Sequence, residues 1–152
     1  MAEQTATFLG LLFGALVMGS MFAVWQLFRP GDVGAAEYLL LQQRAIRAFN
    51  GLLPALGLST IVMILISCWL SRDEANRLWL LLGAALCFVV AGFITRFLNQ
   101  PINAKIVTWT IDTLPADWTD LRDSWWHWHT IRLSAGAGGF VLLIAAALLG
   151  RR

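Results

Sequence analysis

The sequence predicts an all-α fold, a bundle of four membrane-crossing helices forming a single domain over residues 1–152. Three observations carry this expectation. Hydrophobic residues make up 59% of the chain and charged residues 13%, with a mean hydropathy of +0.69, which is more apolar surface than a soluble domain of this length has core to bury. The excess is gathered into four nearly uncharged stretches, 7–28, 52–70, 78–98 and 133–150, each close to the roughly 20 residues that cross a hydrocarbon core of about 30 Å. None of them alternates apolar with polar residues as a barrel strand does, so backbone groups must be satisfied within each segment, and that requires helices.

The first span follows "MAEQTATF", which has no lysine or arginine, and no small-residue cleavage pattern follows it. It is expected to stay attached rather than be removed as a signal. "RPGD" at 29–32 is a breaker and turn, and "VGAAEYLLLQQRAIRAFN" then resumes helical periodicity. This segment reads as the first half of a long second helix, kinked near the membrane boundary by Pro54, four residues after Asn50. "SRDEANR" at 71–77 is a short turn in which Ser71 or Asp73 caps the third helix, with no site of its own. Pro101 ends or bends that third helix. Thr113 or Asp117 caps the fourth, which from 115 to 149 measures about 50 Å at 1.5 Å per residue, longer than a membrane core. Helices two and four therefore extend beyond the bilayer core.

Charge and cysteine usage narrow the function classes. A net charge of +2, dispersed along the chain, makes no nucleic-acid surface. Cys68 and Cys87 both fall inside spans, where a thiol behaves as a small hydrophobe rather than as part of a disulfide framework. The short links put both termini on one side and the connections 29–51 and 97–132 on the other. Of the 11 lysines and arginines, seven lie on the long-connection side, which leans toward cytoplasmic long connections. The expected setting is a multi-pass protein of a lipid bilayer.

The chemistry concentrates in "DWTDLRDSWWHWHTIR". On a helix, Trp118, Arg122, Trp125, His129 and Arg132 follow one another at spacings of 4, 3, 4 and 3 and so share one stripe. Leucine or alanine normally fills an inert bundle seam. Ionisable groups on the inner face of a membrane bundle are functional candidates by default. Trp126 and Trp128 point off the stripe and suit an interfacial aromatic belt. His127 and His129 sit about 200° apart around a helix and cannot grip one metal together, so no conventional zinc site is expected.

Two further polar groups stand out. In "NQPIN", Asn99 and Asn103 straddle Pro101, where carboxamides replace missing backbone partners and also project into a cavity. On helix two stand Gln42, Gln43, Arg47 and Asn50, of which Gln43, Arg47 and Asn50 share a face. Gly10 and Gly14 in "GLLFG" have the spacing that permits close helix approach, including across a homo-oligomer.

"NQPINAKIVTW", followed by "DWTDLRDSWWHWHTIR" and a terminal span rich in small residues, resembles the N-x-P-x-N and W-x(3)-R-x(2)-W-x(3)-H-x(2)-R signature of the anthrone-oxygenase-like family. These are small four-helix membrane proteins, mostly bacterial, and the resemblance implies a bacterial inner membrane. Some fungal members are implicated in oxidising anthrones to anthraquinones. The resemblance marks Asn99, Pro101, Asn103, Trp118, Arg122, Trp125, His129 and Arg132, five of which the helical stripe selects independently.

The expected function is a membrane-embedded oxidoreductase with an interfacial pocket for a flat apolar ligand, aromatic or quinone-like, and no obligatory cofactor. His129 serves as general base. Arg122, Arg132, Asn99 and Asn103 hold a developing oxyanion. Trp118 and Trp125 stack on the ring, with Gln43 and Asn50 completing the binding set. One alternative fills the pocket with haem b, His129 as axial ligand and Arg122 and Arg132 on the propionates. Another is a non-enzymatic membrane subunit or lipid-binding module.

Overall fold

The structure, a computed structural model, describes residues 1–31 and 33–149. Asp32 of the predicted turn lies outside the described residues, as do Gly150, which ends the fourth predicted span, and Arg151 and Arg152 of the charge count. The chain is all-helical. Its elements are α1 (Ala2–Leu27), α2 (Ala35–Phe49), α3 (Leu52–Leu70), α4 (Ala75–Ile94), a π turn (Thr95–Asn99), α5 (Gln100–Ile106) and α6 (Trp118–Leu149). Helix α4, the π turn and α5 run on as one 32-residue helix, Ala75–Ile106, and four helices are long and apolar enough to cross a membrane.

Helix α1 buries Ala6, Thr7, Gly10, Gly14, Val17, Met21 and Val24, a narrow seam of mostly small residues at alternating spacings of three and four. A side chain at Gly14 would meet the Phe140 ring at 3.1 Å, and one at Gly10 would meet Met63 Cβ at 3.4 Å. The Gly10/Gly14 spacing therefore serves close packing inside this chain, against α3 and α6. Helices α1 and α3 form one packed pair and α4 and α6 another. Contacts of α3 with α4 and of α1 with α6 close the bundle. The outward faces carry Phe8, Leu12, Leu16, Leu65, Ile66, Leu86, Val89 and Val141, all exposed, as expected where the solvent is lipid.

The second predicted helix is interrupted at Asn50–Gly51, one turn before Pro54, whose ring has no N–H and crowds the carbonyl four residues back. Helix α2 consequently packs over one end of the bundle, against α5 and the start of α3. Beneath it lies one core of Val24, Phe28, Tyr38, Leu39, Ile46, Ile106, Trp109 and Trp125. A second core of Ile64, Cys68, Leu81, Ala84, Ala85, Phe88, Leu143 and Ala146 fills the end near the termini.

The structure decides between alternatives at three local points. Pro101 does not end the third helix, because it sits at the first turn of α5 and the π turn just upstream takes up the strain, with Gln100 N–H bonding to Thr95 O. Helix α4 is capped by Glu74 with no side-chain cap bond, and neither Ser71 nor Asp73 takes that place. Of the two candidate caps for α6, Thr113 closes a local turn with Thr110, with Thr110 N–H donating to Thr113 Oγ1 at 2.9 Å and Thr113 N–H to Thr110 Oγ1 at 3.2 Å, whereas Asp117 stands directly before the first residue of α6 and its carbonyl accepts from Asp120 N–H at 3.0 Å.

Near the termini, Arg77 is 4% exposed and pairs with Glu3, with Glu74 4.0 Å away. Its Nη2 donates to Thr7 Oγ1 at 3.1 Å. The turn expected to hold no site of its own thus ends in a partly buried ion pair tying the start of α1 to the start of α4.

Candidate functional site

Helix α6 is the spine of the site. The stripe 118, 122, 125, 129, 132 continues at the same spacing through Gly136, Gly139, Leu143 and Ala146, and the residues from Trp125 onward, Arg132 excepted, are buried. One inward seam thus runs the length of the helix. Its lower half is small and apolar and lets α4 approach closely: a side chain on Gly139 would lie 2.8 Å from Cys87 Cβ and 3.1 Å from Ala84 O. Its upper half carries the polar groups.

The outermost stripe residues form a cluster of their own. Arg122 Nε donates to Asp123 Oδ1 at 2.7 Å, its guanidinium lies 5.3 Å from the Trp118 ring centroid, and Trp118 packs against Tyr38 at 5.2 Å. Burial raises the Tyr38 phenol above its ordinary range, with Arg122 opposing, so this hydroxyl stays neutral.

Deeper in, the residues form a connected chain. Trp125 Nε1 donates to Asn103 Oδ1 at 2.7 Å, and Asn103 Nδ2 donates to Asn50 Oδ1 at 3.2 Å. Asn99, 1% exposed, donates from Nδ2 to the Trp125 carbonyl at 3.0 Å. The Trp125 ring stacks on His129, centroids 5.0 Å apart and planes 13° apart. The π turn places both Thr95 and Asn99 toward α6 within one widened turn.

His129 is fully buried. Its Nε2 lies 2.9 Å from Met21 O and its Nδ1 lies 2.5 Å from Arg132 Nη2. A carbonyl only accepts and a guanidinium only donates. Nε2 therefore carries the proton, Nδ1 is the acceptor, and the ring is the neutral tautomer with both nitrogens engaged. An axial iron ligand needs a ring nitrogen with a free lone pair, so this arrangement does not fit haem ligation by His129. Among the described residues no group of three or more His, Cys, Asp or Glu side chains is placed to hold a metal ion.

Arg132 extends from this histidine into a cavity of about 270 Å³. The other end of its fork, Nη1, donates to Thr95 Oγ1 at 3.2 Å, and the Thr95 hydroxyl donates to Ala91 O at 2.8 Å. Among the described residues no carboxylate pairs with Arg132. The cavity lies between the two cores. Its walls are mainly apolar, including Val17, Met21, Val24, Ile46, Phe49, Ile61 and Phe88. Its exposed lining residues, Asn50 at the junction of α2 and α3, Pro54 and Leu58 on α3, and Gly92 and Arg96 on the facing helix, mark a mouth that runs from that junction along the gap between α3 and α4.

The structure thus brings together Trp125, Arg132, Asn103 and Asn50 as lining residues. His129 and Asn99 stand directly behind them. Trp118 and Arg122 lie outside the lining, and Gln43 caps the end of α5, donating to Ile106 O at 3.0 Å and Trp109 O at 2.9 Å. Gln42, Thr95, Arg96 and Gln100, which are not among the expected site residues, also line the cavity. Gln42 had a readable signal, a polar residue inside the apolar stripe Tyr38, Leu39, Ile46. Thr95 had none, because a π turn cannot be read from periodicity.

A family model described as anthrone oxygenase matches residues 43–142. No curated protein and no solved structure matches the chain.

Proposed function

Because the chain belongs to the anthrone oxygenase family, we propose that its cavity binds a flat aromatic ketone and that Arg132 stabilises the anion through which this ligand reacts with dioxygen. The observation that carries the reading is a guanidinium in an apolar cavity with no carboxylate paired to it among the described residues. A cation taken from water into such a site is expensive without a counter-charge. A ligand oxyanion supplies one.

Anthrone is the model substrate. Loss of a proton from the methylene opposite the carbonyl in the central ring, conjugated with it through the flanking benzene rings, gives an electron-rich oxyanion. Dioxygen oxidises this anion to anthraquinone, so that C14H10O + O2 gives C14H8O2 + H2O. Preorganised donors aimed at developing charge in a water-poor site are the strongest lever available to such a reaction. Here the lever is the Arg132 guanidinium, held by Thr95 on one side and His129 on the other. In this reading His129 is a positioning residue rather than the general base expected from the sequence: its lone pair is spent on Arg132 and its N–H on Met21 O. Among the described residues no carboxylate lines the cavity, so the proton leaves to water at the exposed Asn50 end, where α2 meets α3. Trp125, Phe88 and Phe49 supply flat apolar walls. The mouth between α3 and α4 admits an apolar ligand from the bilayer. We assign the protein to a bacterial inner membrane, the bacterial setting of helical rather than barrel proteins.

The test is anthraquinone formation from anthrone in air by purified protein in lipid nanodiscs, followed by absorbance. Acceleration over empty nanodiscs is expected, falling about 10²–10³-fold in Arg132→Met, the usual effect of removing one oxyanion donor. A wild-type rate equal to that of empty nanodiscs overturns the reading.

A further inference from the structure

Gln42 is fully buried, lines the cavity, and neither its Nε2 nor its Oε1 has a hydrogen-bond partner among the described residues. Its chain neighbour Gln43 spends its Nε2 on two backbone carbonyls. Of the other polar groups of the cavity, Asn103 bonds Asn50 and Trp125, Thr95 bonds Ala91, and Arg132 bonds Thr95 and His129 through its two terminal nitrogens while its Nε has no partner among the described residues. An unmet buried donor or acceptor costs more than an ordinary hydrogen bond contributes, and an apolar side chain of the same size would avoid that cost. A residue with both a donor and an acceptor unmet, in the wall of a cavity, is arranged for something that enters the cavity.

We infer that Gln42 is the specificity-determining residue of this site, and that it selects a ring bearing a hydroxyl as well as a carbonyl or quinone oxygen. The ligand hydroxyl donates to Oε1 while a second ligand oxygen accepts from Nε2. The identity of the ring rests on the proposed function, whereas the role of Gln42 rests on its unmet carboxamide. Gln42 sits on α2 and Arg132 on α6, so the two groups address the ligand from different walls. A plain hydrocarbon of the same shape leaves Gln42 unpaired inside the complex and is rejected for that reason.

Two measurements test this on the full chain in nanodiscs. The first is binding of 2-hydroxyanthraquinone, 2-methoxyanthraquinone and anthraquinone, read by quenching of tryptophan fluorescence. The wild type should bind the hydroxy compound about tenfold more tightly than its methoxy analogue, one hydrogen bond's worth of discrimination. Gln42→Met should bind both with a ratio near one, and Gln42→Glu, which keeps an acceptor, should retain the preference for the hydroxyl. A wild-type ratio near one, or a preference that survives in Gln42→Met, overturns the inference. Binding of anthraquinone itself reports on the flat-ring reading alone.

The second measurement needs no ligand. If Gln42 is kept for a ligand, ligand-free Gln42→Met should melt within about 2 °C of the wild type or above it, because no protein hydrogen bond is lost. A fall of more than about 4 °C makes Gln42 a structural residue and overturns the inference. Should none of the three compounds bind, the flat-ring reading falls while this thermal comparison still decides whether Gln42 serves the fold.

Discussion

Replacing His129 separates a positioning role from a base role. In the wild type the ring donates to Met21 O at 2.9 Å, accepts from Arg132 at 2.5 Å and stacks on Trp125 at 5.0 Å. His129→Phe keeps the stack and most of the volume and removes both polar contacts. The bond to Met21 O is an ordinary neutral one, worth about 0.5–1.5 kcal/mol, and the bond from the charged guanidinium about 1.5–3 kcal/mol. The sum, about 2–4.5 kcal/mol, corresponds to a melting-temperature loss of about 5–15 °C for a chain of this size. Released from its acceptor, Arg132 also loses its aim, and anthrone oxidation should fall about 10²–10³-fold, as when an oxyanion donor is removed.

His129→Gln is the decisive companion. A carboxamide presents one donor and one acceptor at nearly the separation of the two ring nitrogens, so it serves Met21 O and Arg132 together but cannot act as a base near neutrality. Recovery to within about tenfold of the wild-type rate, with the melting temperature restored, is expected if the role is positioning. Oxidation by nanodisc-embedded protein and thermal unfolding of the same samples provide both readouts. A His129→Gln protein that folds like the wild type and yet loses about 10²–10⁴-fold in rate, the range associated with loss of a general base, would refute the positioning role.

Two further outcomes follow from packing and charge. Gly139→Val places its Cβ 2.8 Å from Cys87 Cβ and 3.1 Å from the Ala84 carbonyl, and because one of these is backbone it should destabilise by about 1–3 kcal/mol in thermal unfolding, whereas Gly138→Val, with nothing within 4 Å, should be near neutral. Glu3→Gln leaves the buried Arg77 without its main counter-charge and should destabilise by about 1–3 kcal/mol, moderated because Glu3 is 31% exposed; the double variant Glu3→Gln/Arg77→Met should recover most of the loss, which melting curves of the three proteins would reveal.

Much of the site was legible because α6 is one long regular helix. A spacing of 4 and 3 identifies a face without knowledge of what lies opposite, and Trp125, His129 and Arg132 do face the bundle interior. The same rule brought in Trp118 and Arg122, but whether a face meets a cavity depends on the neighbouring helix. There α2 lies over the stripe, and Tyr38 closes it off. On α2 the polar spacing favoured Gln43 over Gln42. In the fold Gln43 caps the end of α5, while Gln42 lies in the wall of the cavity.

Hydropathy by itself determined the four spans, because a bilayer tolerates only segments that satisfy their own backbone groups, and that constraint is local. Helical spacing determined which residues of α6 face inward, for the same local reason. Only the tertiary structure decided what those residues do. The protonation pattern of His129 is set by a carbonyl 108 residues away in sequence. The aim of Arg132 is set by a threonine that a π turn rotates toward it, and the unmet carboxamide of Gln42 exists because α2 folds over the open end of the bundle. Each is a contact between elements distant in the chain, where donor, acceptor and empty space are defined by packing and leave no periodic trace in the sequence.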